Sequence, residues 1–340
     1  MTTNTTNILI TVQFPENLLE QIRQVSPTLR IITHQAQAPE DIPADVWNKI
    51  EVLYTDRILP MPPSVPNLRW VQSHFAGIDM IAGHPLLQQR DIHVTTLSGA
   101  AASQVAEYAL MMMLALGRKM PELVLAQQKA DWPRDRWDRF KPTEIRGSTV
   151  GLVGDGSIGR EIARNVTTLG GRIVAIKRDV KHPGDLGYMP DNLGDPKGDL
   201  FFRLYPVQAI KSMLKLCDFV VICLPLTPST RGLIGENELA AMKPSAYLID
   251  VSRGGIVNPQ ALLTALQEKR IAGAGLDVFV EEPLPSTSPF WKLPTVLISP
   301  HISGISKHYS QRAVDLFCEN LRLYLAGSSL LNVFDPELGY

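Results

Sequence analysis

Three short segments in the last part of this 340-residue chain hold the side chains best suited to chemistry. Arg253 in VSRGG, the acids Glu281 and Glu282 in GLDVFVEEP, and His301 in SPHISG each follow a short apolar run that reads as a strand. In an open α/β sheet, ligands gather beyond the carboxyl ends of the strands, so these side chains are placed to converge. Singly, each has a plain structural explanation: a salt bridge for Arg253, a surface carboxylate for Glu282, a hydrogen-bonded core histidine for His301. Together they supply what reduction of a 2-oxo acid needs. A guanidinium fork pairs with a planar carboxylate and polarises the neighbouring ketone. An imidazole exchanges the alcohol proton near neutral pH, and a carboxylate beside it fixes its tautomer.

Upstream lies GDGSIG, Gly154 to Gly159, between an apolar strand pattern and the amphipathic run IGREIARNVTTL. In a dinucleotide-binding turn Gly154 permits the tight bend, Gly156 lets backbone approach a pyrophosphate, and Gly159 lets helix and strand pack closely. The helix N-terminus then faces the anion. Asp155 sits inside this loop, where a carboxylate aimed at phosphates would repel them, so it is expected to face solvent. About twenty residues on, where an acid normally binds the ribose hydroxyls, the strand RIVAI ends in Lys177 and Arg178. Two unit charges about 4 Å apart at an effective dielectric of 20 interact by roughly 4 kcal/mol. The sign favours NADP over NAD, unless both residues are solvated cations at a strand end.

Positioning these groups requires a parallel sheet. Before residue 100, ILITVQF, RIITH, VLYTD and WVQSH read as strands with helices such as ENLLEQIRQV between them. A second βα series runs through TVGLVGDG, RIVAIKR, DFVVICLP, AYLIDVS, GAGLDVF and TVLISP, the order of a doubly wound domain. Between the two, SQVAEYALMMMLALGRKM is apolar nearly all round, which predicts burial on more than one side, in a core or at a subunit interface. After it, DWPRDRWDRFKPTEIRG reads as a surface excursion. The stretch Lys181 to Pro206, rich in Gly, Pro and Asp, reads as an ordered loop more than a helix.

The length suggests two domains, and 45% hydrophobic content is enough for two cores. A net charge of -1, with 33 basic and 34 acidic residues intermixed, argues against a nucleic-acid partner. No apolar segment is long enough for a membrane span, and the N-terminus lacks export features, so a cytoplasmic location is expected. Cys217, Cys223 and Cys318 are scattered without metal-ligand spacing, so no metal site is expected.

Taken jointly, SHFAGID (Ser73 to Asp79), VAEYALMMMLALGR, LVGDGSIGREIA, CLPLTPSTRGLIG, MKPSAYLIDVSRGGIVN, AGAGLDVFVEEPLP and PHISG resemble the D-isomer-specific 2-hydroxyacid dehydrogenase family almost end to end. The resemblance implies an α/β protein in which a Rossmann dinucleotide-binding domain, residues 102–300, is inserted into a flavodoxin-like substrate domain made of residues 1–101 and 301–340. It implies NAD(P)-dependent hydride transfer between nicotinamide C4 and C2 of a small 2-oxo or 2-hydroxy acid, with Arg253, Glu282 and His301 catalytic and His301 the acid and base. It places Phe75, Ala76 and Gly77 at the substrate. At the cofactor it places Gly154, Gly156, Ser157, Ile158, Gly159, Lys177, Arg178, Leu224, Pro225, Thr230, Val251, Ser252, Asp277, Ser303 and Gly304. It further implies a homodimer paired through the helix after Ser103, and domain closure over hinges near Gly99 to Ser103 and Ser299 to Ser303.

Asp250 and Asn258 depart from the family pattern, where Asn and Asp are commoner, and local structural roles are expected for both. Two rival readings share the scaffold. One is a dinucleotide-sensing protein-binding module with little turnover, which the full Arg, Glu and His set disfavours. The other is formate- or phosphite-type oxidation, disfavoured because formate dehydrogenases of the family carry Gln where Glu282 stands.

Overall fold

The computed structural model describes residues 5–185 and 187–339 and falls into two compact units. One takes the chain up to Ala101 and again from Ser306, the other Ala102–Ile305.

In the first unit, β1 (Thr6–Ile10), β2 (Leu29–Thr33), β3 (Val52–Thr55), β4 (Trp70–Ser73) and β5 (His93–Thr95) form a parallel sheet in the order β2-β1-β3-β4-β5. This is the flavodoxin-like order. Period-two alternation divides the side chains between two cores. Ile8, Ile10, Val52, Tyr54 and Trp70 face α1 (Glu16–Arg23) and the C-terminal helix Tyr309–Leu325, which contributes Val314, Phe317 and Leu321. Leu9, Leu53, Val71 and Val94 face the opposite way, toward Trp47 in α2 (Ala44–Trp47), Leu86 and Leu87.

The second unit opens with α3 (Ala102–Gly117), α4 (Met120–Gln128) and the short α5 (Arg136–Arg139). Its sheet is built from β6 (Thr149–Val153), β7 (Arg172–Ile176), β8 (Phe201–Tyr205), β9 (Phe219–Ile222), β10 (Tyr247–Asp250), β11 (Gly273–Leu276) and β12 (Val296–Ile298). The order is β12-β11-β10-β9-β6-β7-β8, with every pairing parallel. The chain leaves β6 toward β7 and β8, then returns to lay β9 on the other side of β6. That reversal opens a crevice beyond the carboxyl ends of β6 and β9. One face is covered by α7 (Ile210–Leu214), α8 (Glu236–Ala240) and α9 (Pro259–Gln267), whose Met213, Leu214, Leu239, Leu262 and Leu266 join Val174, Val220, Leu248 and Leu276 in the core. Helices α3 and α6 (Ser157–Thr168) pack on each other, and α3 also lies on β10 and β11.

Two expectations change. Strand β5 is not among the expected strands. The Lys181 to Pro206 stretch, Leu186 of which lies outside the described residues, is a loop only as far as residue 200. It ends in β8, whose aromatic FFRLY suits an edge position beside β7. Helix α3 is covered by α6 on one side and by β10 and β11 on another, which leaves a narrow strip with Met111 and Leu114 exposed beside Met120, Val124 and Leu125 of α4. The expected excursion after it carries exposed Trp132 and Trp137, the latter with Arg136 stacked on its ring.

Candidate active site

All the chemistry-bearing residues of the second unit lie beyond the carboxyl ends of its strands, in two groups. The first surrounds the turn between β6 and α6. Gly154 has φ +122°, a conformation that a side chain would strain, and a Cβ on Gly159 would stand 2.3 Å from the Gly154 carbonyl oxygen. Gly156 differs: a Cβ there would meet nothing within 4 Å, so the backbone is open to an approaching ligand. No side chain caps α6, leaving first-turn N–H groups such as those of Ser157 and Ile158 directed at that space. An open glycine in front of an uncapped helix fits a dinucleotide pyrophosphate.

The acid in this turn does not face solvent. Asp155 Oδ2 accepts hydrogen bonds from Lys177 Nζ at 2.5 Å and from Arg160 Nη2 at 3.2 Å. The Lys177 and Asp155 side chains are only 15% and 17% exposed, so Lys177 is not a solvated surface cation either. Arg178, one residue on, is exposed. Arg160 is fully buried. It donates further to the carbonyls of Asp155, Pro183 and Asp195, pairs with Asp185 at 3.4 Å, and stacks over the Phe201 ring. Next to it, Glu161 accepts from the Gly194 N–H at 2.6 Å, while Asp195 caps the N–H groups of Gly198, Asp199 and Leu200. The loop after β7 is thus held down by α6. Sequence reading missed Arg160 and Glu161, although their helical spacing with Ile162, Ala163 and Val166 marks a buried face on which two charges need partners.

The second group occupies the ends of three adjacent strands, β10, β11 and β12. Past β12, His301 Nδ1 lies 2.8 Å from Glu282 Oε2, and Glu282 Oε1 accepts from the Phe279 N–H at 2.8 Å. The carboxylate is therefore fixed at one oxygen and orients the imidazole with the other, leaving Nε2 turned away from it. His301 has φ 53°, unusual for a non-glycine residue. Its backbone is held from behind: its N–H donates to the Asp277 carbonyl at 2.9 Å, and the Asp277 carboxylate accepts from Ser299 Oγ, Ile302 N–H and Ser303 N–H. Burial pushes the Asp277 carboxyl up, but these donors outweigh it and hold it below its ordinary value. Asp277 is buried behind the loop, where its carboxylate holds the backbone that carries His301 and Ser303.

Arg253 joins them through backbone packing. A Cβ on Gly254 would fall 1.9 Å from the Phe279 carbonyl oxygen, so the turn after β10 lies directly against the turn that leads to Glu282. Arg253 Nη1 donates to the Ser252 carbonyl at 2.9 Å. Behind it, Asp250 Oδ1 accepts from the N–H and hydroxyl of Ser252. Burial, reinforced by neighbouring Asp277, pushes the Asp250 carboxyl up to about 7. Asn258 caps α9 by accepting from the Ala261 N–H, so its departure from the family pattern is local.

Of the remaining expected cofactor residues, Val251 and Ser252 are buried past β10. Leu224 and Pro225 follow β9, and Thr230 closes their turn by donating to the Pro225 carbonyl at 2.7 Å. Gly304 is open, and its carbonyl accepts from Gln104.

In the first unit, Phe75, Ala76 and Gly77 follow β4 at its carboxyl end, with the Phe75 ring exposed. His74 just before them is clamped: it shares a 2.8 Å hydrogen bond with the Tyr54 hydroxyl, and its carbonyl accepts from the Tyr309 hydroxyl at 2.6 Å. Burial pushes the imidazole down to about 4, keeping it neutral at ordinary pH.

Residues 110–303 match the model of the D-isomer specific 2-hydroxyacid dehydrogenase family, NAD binding domain. Among curated relatives, glyoxylate reductase of Thermofilum pendens is 33% identical over 81% of this chain and 77% of its own. Glyoxylate/hydroxypyruvate reductase A of Serratia proteamaculans is 31% identical over 89% of this chain and 90% of its own. The D-isomer specific 2-hydroxyacid dehydrogenase of Xanthobacter autotrophicus Py2, solved with NADPH and MES, superposes with a TM-score of 0.80 at 26% identity, covering 99% of this chain and 100% of that one.

Proposed function

The chain belongs to the D-isomer specific 2-hydroxyacid dehydrogenases, NAD(P)-dependent oxidoreductases of CH–OH donors, and from that premise we propose that it reduces small 2-oxo acids with His301 as the proton donor. The observation that carries this reading is the His301–Glu282 contact of 2.8 Å at the end of β12. Glu282 holds Nδ1, so Nε2 is the nitrogen that gives its proton to the carbonyl oxygen of the substrate as that oxygen becomes a hydroxyl. Arg253 binds the substrate carboxylate and stabilises the charge that develops on the oxygen. A nicotinamide dinucleotide along the glycine turn would supply the hydride, with Gly154, Gly156, Ser157, Ile158 and Gly159 holding its phosphates.

The first unit serves as the substrate unit, with backbone N–H groups around Ala76 and Gly77 receiving the carboxylate, and the second as the dinucleotide unit. Glyoxylate and hydroxypyruvate, which the names of the relatives carry, are the substrates to try first. NADPH is the preferred cofactor on the strength of Lys177 and Arg178. The exposed apolar side chains of α3 and α4 support a homodimer, and a cytoplasmic setting suits the unpaired cysteines. No helix of the described residues is long and apolar enough to cross a membrane.

Oxidation of NADPH and NADH with a panel of 2-oxo acids tests the reaction, with kcat/KM recorded for each pair. His301→Ala and Arg253→Ala are expected to lower kcat/KM by about 100-fold to 10,000-fold while leaving dinucleotide affinity unchanged. Near-normal turnover in either variant removes that residue from the mechanism.

A further inference from the structure

We propose that Asp155, inside the glycine turn, sets the balance between the two nicotinamide dinucleotides by competing with a ribose 2′-phosphate for the Lys177 ammonium. The proposal rests on the reading of Lys177 as a phosphate-binding residue and adds a specificity-determining residue to it.

Strands β6 and β7 are neighbours in register, Val153 opposite Ile176, so the turn after one reaches the end of the other. Across that gap Asp155 Oδ2 takes the Lys177 ammonium at 2.5 Å. The end of the second strand is where dinucleotide-binding sheets usually keep an acid for the ribose hydroxyls. Here the strand ends in a cation, and the acid arrives from the adjacent turn. With both side chains largely covered, the pair is less screened than one on the surface.

Two cofactors would use this pair differently. A 2′-hydroxyl leaves it closed and can donate to the Asp155 carboxylate. A 2′-phosphate must draw Lys177 away, and the carboxylate left behind repels it. Arg160 makes that exchange feasible, because it bonds the same carboxylate oxygen at 3.2 Å and is anchored by the carbonyls of Asp155 and Pro183. When Lys177 turns, Asp155 keeps a partner. The result is a graded competition, in contrast to a site that admits one dinucleotide only.

The test is the dissociation constants of NADPH and NADH for the full chain, measured by calorimetry without substrate, in the parent, Asp155→Asn, Lys177→Met and the double variant. Asp155→Asn is expected to tighten NADPH by about fivefold to tenfold and to weaken NADH. Lys177→Met should weaken NADPH, and in that background Asp155→Asn should lose most of its effect. If Lys177→Met weakens NADPH but Asp155→Asn leaves the NADPH-to-NADH ratio unchanged, the proposal falls and the Lys177 reading stands. If Lys177→Met leaves NADPH affinity unchanged, that reading falls and the proposal with it. Asp155→Ser, which keeps an oxygen for Arg160, gives the same decision should the Asn variant fold poorly.

Discussion

The two ends of the dinucleotide sheet handle charge in opposite ways. Around β6 and β7, Asp155, Arg160, Glu161 and Lys177 are turned inward and bonded to one another or to the loop they hold. Around β10 to β12, the His301 and Glu282 side chains stay 41% and 35% exposed, and with both Glu282 oxygens engaged by Phe279 N–H and His301 Nδ1, the imidazole keeps Nε2 open. Buried charge must find partners or lose several kcal/mol, so the first group is structural before it is anything else. Chemistry needs an atom left over, and only the second group keeps one. Asp250 and Asp277 show the same rule behind the reactive residues: both carboxylates are buried and spent on holding the backbone of Ser252, Ile302 and Ser303.

Breaking the inward-facing group should produce the largest change in stability. Arg160→Met removes the guanidinium from Asp185 and from three carbonyls and leaves Asp155 with Lys177 alone, an expected loss of about 3–5 kcal/mol. Urea unfolding measures it, and limited proteolysis should cut first between residues 181 and 200. An uncut loop with unchanged stability would mean that Arg160 does not anchor it.

A smaller loss is expected where the outward-facing group is packed. Gly254→Ala drives a methyl into the Phe279 carbonyl and must separate the turns bearing Arg253 and Glu282. The expected cost is about 1–3 kcal/mol in stability. Because misplacing a catalytic group by about 1 Å costs on the order of 100-fold, kcat should fall far more than the melting temperature suggests. Parent-like kcat would show that the two turns need not touch.

Asp250 gives the smallest and most selective effect. Its folded value, about 7, lies above the ordinary carboxylate value. The stability tied to its burial is therefore complete below about pH 4, where the unfolded chain is also protonated, and lost as pH rises through 7. Asp250→Asn keeps an acceptor for Ser252 and removes that loss, while burying an amide nitrogen offsets part of the gain. A net advantage of about 1 kcal/mol is expected at pH 8, vanishing toward pH 4. A pH-independent difference in melting temperature would assign Asp250 another role.

Much of the second unit was legible in the chain because it rests on short-range signals. β-Branched runs followed by glycine turns announce buried parallel strands, and Arg253, Glu282 and His301 each stand in the turn that follows one. The exceptions have local causes. β5 has three residues, too few for periodicity to register, and β8 follows a Gly- and Pro-rich loop and pairs on one side only. The burial of α3 was legible from its apolar circumference, whereas its exposed strip with Met111 and Leu114 was not, because apolar composition does not mark which residues a neighbour covers.

The sequence by itself determined the α/β architecture, the glycine turn and the residue types offered at the ends of the strands, because propensity, turn chemistry and periodicity act over a few residues. Only the tertiary structure decided which charges meet. Asp155 and Lys177 stand 22 positions apart and Arg160 and Asp195 stand 35 apart, and whether such groups face solvent, a ligand or each other depends on which strands become neighbours. Coulomb attraction and desolvation act through space, so the partner of a charge is settled by the fold.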